Sequence, residues 1–294
     1  MPQADMPTMR SRRLGNELRR LRTEAELSPQ DVADALECGK PKISQIENGK
    51  RGVRPLDMTI LLDLYGVEDD TYRASLKRLA KEIHRVDWWS GQDPLIHDSL
   101  RDYLTLEADS DFVRDYEHNL VPGLLQTETY MRTMFGAAGV EPERVEQLVR
   151  IRLKRKELLD NSGDFRLRTV IDATALHRIE GGPDVIKEQL NHLLEIGRRS
   201  NVHIQVLPLN ASLLMEQYGP FSIFSLRGEP PVDLIWLEQI TGGTLLEQRR
   251  HVQAYSKAWD ELTAAALSLT ATQQYVRDLI KEVDDGLRVR APNR

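Results

Sequence analysis

The segment from Ser28 to Gly49 constrains the fold of this chain more than any other, because its residues are spaced for two short helices and a tight turn. Ser28 is a favourable N-cap, Pro29 suits the first helical position, and Asp31 follows the cap by three residues, as in a capping box. Apolar residues then recur at helical spacing in both halves of the segment: Val32, Ala33, Leu36, Ile43 and Ile46. This spacing predicts a compact helix-turn-helix, which places a helix N-terminus against DNA.

The second predicted helix carries the sequence Ile43-Ser44-Gln45-Ile46-Glu47-Asn48-Gly49. In this I-S-x-I-E-x-G pattern the chain resembles helix-turn-helix regulators of the XRE or lambda-repressor type, over roughly residues 12–67. Two positions depart from that pattern. Glu37 stands in the turn where glycine is common and must accept or avoid a left-handed conformation. Pro29 replaces a glutamine that often touches a phosphate in the family, so Gln30 becomes the candidate for that contact.

Apolar periodicity on both sides of the motif predicts three further helices, one before it and two that open at Pro55 and near Asp70. We therefore predict a mainly α N-terminal helix-turn-helix domain of five helices over residues 12–85. A disordered N-terminus at residues 1–11 precedes it, and a linker at residues 86–94 follows it.

The candidates for DNA contact lie in and around the second helix of the motif. Its first turn is expected to enter the major groove, where lysine can donate to guanine and glutamine can pair with adenine. The candidates for base reading are Lys40, Lys42, Ser44 and Gln45. The candidates for contacts with the DNA backbone, which supply affinity without reading sequence, are Ser28, Gln30, Lys50, Arg51 and Arg54. The alternative is that the lysines are only solvated charges.

The local distribution of charge favours DNA binding, although the net charge of the whole chain is negative. The formal net charge is -6, but residues 10–54 hold 11 Lys or Arg against 7 Asp or Glu, a local balance of +4 that leaves -10 for the rest. A basic head on an acidic body favours DNA binding through one face. One head contacts few bases, so we expect a homodimer on an inverted-repeat operator in double-stranded DNA.

The rest of the chain predicts a larger α+β domain at residues 95–284 with a small mixed or antiparallel sheet, then a flexible tail at residues 285–294. Five runs are typical of strands: 111–120, 165–172, 202–207, 221–226 and 232–237. Four segments are predicted to be helices: 127–135, 141–160, 245–266 and 272–283.

Ordered sequence words in this second domain, among them Val121-Pro122-Gly123-Leu124-Leu125-Gln126-Thr127, are similar to the C-terminal domain of antitoxin-like XRE regulators of actinobacteria, such as the WhiJ-type developmental regulators. The resemblance implies a small protein partner encoded nearby, and no reaction. It makes the matching residues candidates for a partner or ligand site: Tyr116, Leu124, Gln126, Tyr130, Arg152, Arg155 and Asp172. The chain departs from the pattern at Lys156, where glutamine is common, and at Ala173, where an acidic residue often follows Asp172.

Nothing in the sequence favours an enzyme, a cofactor or a metal centre. The sequence contains no H-E-x-x-H, G-x-S-x-G, P-loop or G-x-G-x-x-G motif, and its seven histidines are scattered. The single cysteine, Cys38, excludes an internal disulfide, and no apolar run is long enough to span a membrane. We expect a cytoplasmic repressor without cofactor or metal; the alternatives are an antitoxin that neutralises its partner and a regulator that responds to a small molecule.

Overall fold

The computed structural model describes residues 7–85, 87–89, 98–160, 165–211, 219–227 and 231–286. The chain divides into two compact units, one within residues 1–106 together with 227–231 and the other formed by the remainder. The predicted fold class is confirmed, because five helices are followed by an α+β unit with a mixed sheet. The predicted linker positions 86 and 90–94, and the tail from residue 287 onward, lie outside the described residues.

The first unit begins with five helices whose bounds follow local capping signals: α1 (Met9–Glu24), α2 (Pro29–Ala35), α3 (Lys40–Glu47), α4 (Pro55–Leu64) and α5 (Asp70–Glu82). Helix α1 starts earlier than the sequence predicts, because the Thr8 hydroxyl accepts a hydrogen bond from the backbone N–H of Ser11. Residues 9–11 are therefore helical, which corrects their assignment to a disordered N-terminus. Residues 1–6 lie outside the described residues.

A single hydrophobic core joins these five helices. It is built from leucines of α1, the apolar face of the α2–α3 pair, and residues of α4 and α5, among them Leu14, Leu18, Val32, Ile43, Met58, Leu61 and Leu76. Helices α1 and α3 cross closely at Gly15, where an added Cβ would lie 2.6 Å from the carbonyl oxygens of Ile46 and Glu47. No other residue type fits at this crossing without moving backbone.

The second unit is organised around six strands: β1 (Ser110–Glu117), β2 (Arg166–Asp172), β3 (Val202–Leu207), β4 (Phe221–Leu226), β5 (Val232–Gln239) and β6 (Gly242–Leu246). Their order in the sheet is β3-β2-β1-β4-β5-β6. The β1–β2 and β2–β3 pairs are parallel, and the β1–β4, β4–β5 and β5–β6 pairs are antiparallel. The sheet is thus mixed, which was one of the two predicted alternatives.

Helix α6 (Asp98–Asp109) spans the division, with residues 98–106 in the first unit. The second unit also contains a 3-10 turn at Gly123–Leu125 and six helices: α7 (Glu128–Ala137), α8 (Pro142–Asp160), α9 (Ala173–His177), α10 (Pro183–Ile196), α11 (Arg249–Ala265) and α12 (Leu269–Asp284). Helix α11 packs on one face of the sheet through Trp259 and Leu262, against Tyr116, Val170 and Ile235. The predicted helix at residues 245–266 was wrong at its start. Leu245 and Leu246 instead pair with β5 in the unpredicted strand β6, because their backbone groups complete the sheet edge.

Candidate DNA-binding interface

The entry into the helix-turn-helix is fixed by the predicted capping box. The Ser28 hydroxyl accepts from the Asp31 backbone N–H at 3.2 Å, and the Asp31 carboxylate accepts from the Ser28 N–H at 2.7 Å. These bonds satisfy donors that a helix start otherwise leaves unpaired. The side chains of Ser28 and Gln30 are exposed, and Gln30 donates to Asp34 at 2.8 Å. Both proposed backbone contacts therefore lie on an accessible surface at the start of α2.

The turn between α2 and α3 contains Glu37 at the position where the sequence allows a left-handed conformation. Glu37 has a φ of 47°, in the left-handed region that favours glycine. The Cys38 N–H donates to the Ala33 carbonyl at 2.9 Å, and the Cys38 side chain packs against the core. The turn thus uses the cysteine as a small apolar residue and keeps the Glu37 carboxylate in solvent.

Helix α3 separates an apolar inner face from a polar outer face. Ile43 and Ile46 are buried, whereas Lys40, Ser44 and Gln45 are exposed. Its N-cap, Gly39, makes no side-chain capping bond, but the first turn offers few backbone donors, because Pro41 has no N–H and the Lys42 N–H donates to the Gly39 carbonyl at 2.9 Å. Three of the four base-reading candidates therefore share one accessible strip that begins at the helix N-terminus.

The fourth candidate, Lys42, has a different environment. Its ammonium lies 2.7 Å from the Asp57 carboxylate, and the side chain is only 16% exposed. Arg54 binds the same carboxylate through two hydrogen bonds of 3.0 and 3.2 Å. Burial opposes ionisation of Asp57, but the hydrogen bonds from Lys42 and Arg54 outweigh it and lower the Asp57 pKa. Lys42 would have to leave this ion pair before it could reach a base.

The loop after α3 supplies the remaining cations. Lys50 and Arg51 are exposed, and within the described part of the chain neither makes a side-chain ion pair. Arg54 is also largely exposed although it reaches Asp57. This loop places three positive side chains directly after the polar strip of α3, where they can approach a phosphate backbone.

The contacts that hold the outer face of α3 in place were not predicted from the sequence. Glu47, a letter of the recognised I-E-x-G pattern, is buried and accepts from Arg22 at 2.6 and 3.1 Å and from Arg19 at 3.3 Å. Gly49 adopts a φ of 69°, and an added Cβ there would lie 2.7 Å from the Arg12 backbone nitrogen. These residues clamp the end of α3 to α1, so part of the motif specifies packing.

The candidates of the second unit lie mostly in its interior. Tyr116, Leu124, Gln126, Tyr130, Arg155 and Asp172 are all buried, and only Arg152 is half-buried. Gln126 donates to the Val121 carbonyl at 2.7 Å and accepts from Arg152. Asp172 caps α9 by accepting from the Thr174 N–H at 2.8 Å. These contacts hold the domain together, and burial keeps all but Arg152 from offering a surface to a partner protein.

A buried ion pair between α8 and α6 lies near two carboxylates of β1, those of Asp115 and Glu117. Arg155 donates to both oxygens of Glu107 at 2.8 Å, and the two side chains are 8% and 1% exposed. Burial raises the pKa of Asp115 to about 7, although Ser222 donates to its carboxylate at 2.8 Å. Burial and the neighbouring charges of Asp115 and Glu238 raise the pKa of Glu117 well above its usual range. Arg155 and Glu107 thus neutralise each other in the interior. Because its pKa is raised, the Asp115 carboxyl takes up a proton near neutral pH.

Comparison with protein families agrees with this division. Residues 13–76 match a helix-turn-helix domain, HTH_31, and residues 100–278 match a domain of unknown function, DUF5753. The chain belongs to the DUF5753 family. No curated protein and no solved structure matches the chain. The DUF5753 match covers the sheet and nearly all of the helices around it, whereas the DNA-binding domain is the helix-turn-helix match that carries α3. Among the described residues, no helix has the length and apolar character needed to cross a membrane.

Proposed function

We propose that the protein is a sequence-specific transcriptional repressor that binds an inverted-repeat operator as a homodimer. The observation that carries this proposal is the outer face of α3, where Lys40, Ser44 and Gln45 are exposed beside an uncapped helix N-terminus. Lys50 and Arg51 follow in the adjacent loop as phosphate contacts. A single head of this size reads few base pairs, so two heads on two half-sites supply useful specificity.

We further propose that the DUF5753 domain regulates the head by binding a small protein and takes part in self-association, without catalysing a reaction. The resemblance of its sequence words to antitoxin-like regulators supports a protein partner. The protein then acts in the cytoplasm, where its DNA lies. A response to a small molecule is the competing role, and loss of DNA binding with that molecule alone, without a partner, would favour it.

Fluorescence-anisotropy titration of the full-length protein against its own upstream duplex and a scrambled duplex, at two salt concentrations, tests the proposal. We expect binding to the upstream duplex to be at least about a thousandfold tighter. Analytical ultracentrifugation of the complex should give two chains per duplex. Equal, salt-sensitive binding to both duplexes would contradict sequence-specific recognition by the unassisted protein.

A further inference from the structure

The sheet of the second unit carries a positively charged cluster that the DNA-binding role does not use. Phe112 on β1 is surrounded by the guanidinium groups of Arg166, Arg114 and Arg168, at 4.6, 5.3 and 5.8 Å from the centre of its ring. We call these four residues the arginine platform. Phe112 pairs directly with Arg166 across β1 and β2, and Arg114 pairs with Arg168, so all four share one face.

The arginine platform lies beside the part of the sheet that α11 covers. Tyr116 and Val170, two residues beyond Arg114 and Arg168 on the same face, pack against α11. Arg166 and Arg168 are exposed. The chain thus buries one end of this sheet face under a helix and leaves cations on the surface at the other end.

The charge of the arginine platform is only partly compensated within the described residues. Arg114 binds Asp233 at 2.6 Å, whereas Arg166 and Arg168 contact the Phe112 ring and no carboxylate. Like charges directly across neighbouring strands destabilise a sheet, and the contact of a cation with an aromatic ring at an exposed site offsets only part of that repulsion. The two exposed arginines, which pair with no carboxylate of the described residues, are therefore available to an anionic partner.

We propose that the arginine platform is the docking surface for an extended acidic segment of a partner protein. Arg166 and Arg168 alternate along β2, so their positions differ by about 6.6 Å along the strand. Alternate carboxylates of an extended peptide repeat at the same distance, and guanidinium groups bind carboxylates through two hydrogen bonds. Three guanidinium groups already lie within 5.8 Å of the centre of the Phe112 ring, so they compete with a nucleic-acid base for stacking on it.

This inference rests on the partner-binding role proposed above and adds the surface and the chemistry of the partner. The test uses the full-length protein and fluorescein-labelled peptides at low salt. The probe is a ten-residue peptide of alternating glutamate and threonine; the same peptide with glutamine for glutamate removes the charge. A peptide with five glutamates followed by five threonines keeps the charge and changes the spacing.

We expect the alternating acidic peptide to bind more tightly than both control peptides. The double variant R166A/R168A should weaken that binding by about tenfold, because it removes two exposed charge contacts and leaves the Arg114–Asp233 pair intact. The matched control R249A/R250A removes two exposed arginines at the start of α11 and should leave peptide binding unchanged. Thermal melting of R166A/R168A should be no lower than that of the parent protein, since the variant relieves repulsion.

Equal weakening by both double variants, or binding of the glutamine peptide as tight as that of the acidic peptide, would overturn the docking surface. Binding of a ten-nucleotide oligothymidine that R166A/R168A abolishes would assign the arginine platform to single-stranded nucleic acid and refute the proposal. The same preparations are titrated with the upstream duplex. DNA binding that survives in R166A/R168A separates a failure of this inference from a failure of the repressor role.

Discussion

The family-like sequence patterns of the two units differ in how far their polar side chains are exposed. In the motif of the first unit, three of the four polar residues are exposed, Ser44, Gln45 and Asn48, and only Glu47 is buried. In the DUF5753 domain, the words that carry the resemblance supply interior residues, such as Gln126, Tyr130 and Arg155. A sequence pattern typical of a family therefore does not show by itself what its residues do. Only the surroundings of each side chain show whether it can contact a ligand or packs in the interior.

The strongest test of this contrast is Arg155→Ala. The change leaves the Glu107 carboxylate buried without its cation, so we expect a loss of about 3–5 kcal/mol in the free energy of unfolding. Arg150→Ala, at an exposed position of the same helix, should change it by no more than about 0.5 kcal/mol. Denaturant unfolding followed by circular dichroism measures both. Similar values for the two variants would return Arg155 to the candidates for a partner site.

Glu47→Gln tests the interior part of the helix-turn-helix motif. Loss of the charged hydrogen bonds from Arg22 and Arg19 should destabilise the first unit by about 2–3 kcal/mol. Hydrogen exchange of the α1 and α3 amides reports this loss locally. Glu24→Gln, which changes a surface pair with Arg20, is the control and should leave exchange in α3 unchanged. Unaltered protection in Glu47→Gln would show that the clamp between α1 and α3 does not depend on this ion pair.

Gln45→Ala and Lys42→Ala compare an exposed and an engaged residue on the same helix. Gln45→Ala should weaken binding to the upstream duplex by about 1–3 kcal/mol, with no change on a scrambled duplex or in melting temperature. Lys42→Ala should lower the melting temperature, because it removes one of the two cations on buried Asp57. An upstream-specific loss in Lys42→Ala with unchanged melting would show that Lys42 leaves Asp57 and reads a base.

Asp115→Asn gives a test based on pH in the second unit. The folded protein holds the Asp115 pKa near 7, above its ordinary value of 3.8, so the folded state binds this proton more tightly than the unfolded state does. The stabilisation is complete below about pH 4 and is lost as the pH rises towards 7. Asp115→Asn should reduce the fall in melting temperature between pH 4 and pH 8 by several degrees, about 2–4 °C per kcal/mol. Parallel pH profiles for Asp115→Asn and the parent would contradict this protonation.

Arg51→Ala has the smallest expected effect and tests the loop after α3. It should weaken binding to upstream and scrambled duplexes alike and reduce the slope of log affinity against log salt by about 0.9, the value for one phosphate contact. Titrations at four salt concentrations measure the slope. An effect confined to the upstream duplex would make Arg51 a base-reading residue.

The accuracy of the sequence predictions follows the range of the interactions involved. Strands β3 and β4 were predicted with the bounds that the structure shows, because β3 alternates apolar and polar residues and β4 is rich in aromatic and branched apolar residues. The capping box at Ser28 was predicted because all of its atoms lie within four residues. Strand β6 was missed because Gly242 and Gly243 have little strand propensity, and this strand forms only by pairing with β5.

The sequence by itself determined the two-helix motif, the polar outer face of α3 and the α+β class of the second unit, since periodicity and capping are local properties. The tertiary structure alone decided that Asp57 holds Lys42, that Glu47 joins α3 to α1, and that three arginines surround Phe112. Apart from the contact of Phe112 with Arg114 on its own strand, each of these contacts joins residues at least 15 positions apart. Side-chain chemistry in one segment does not reveal which distant charge the fold brings beside it.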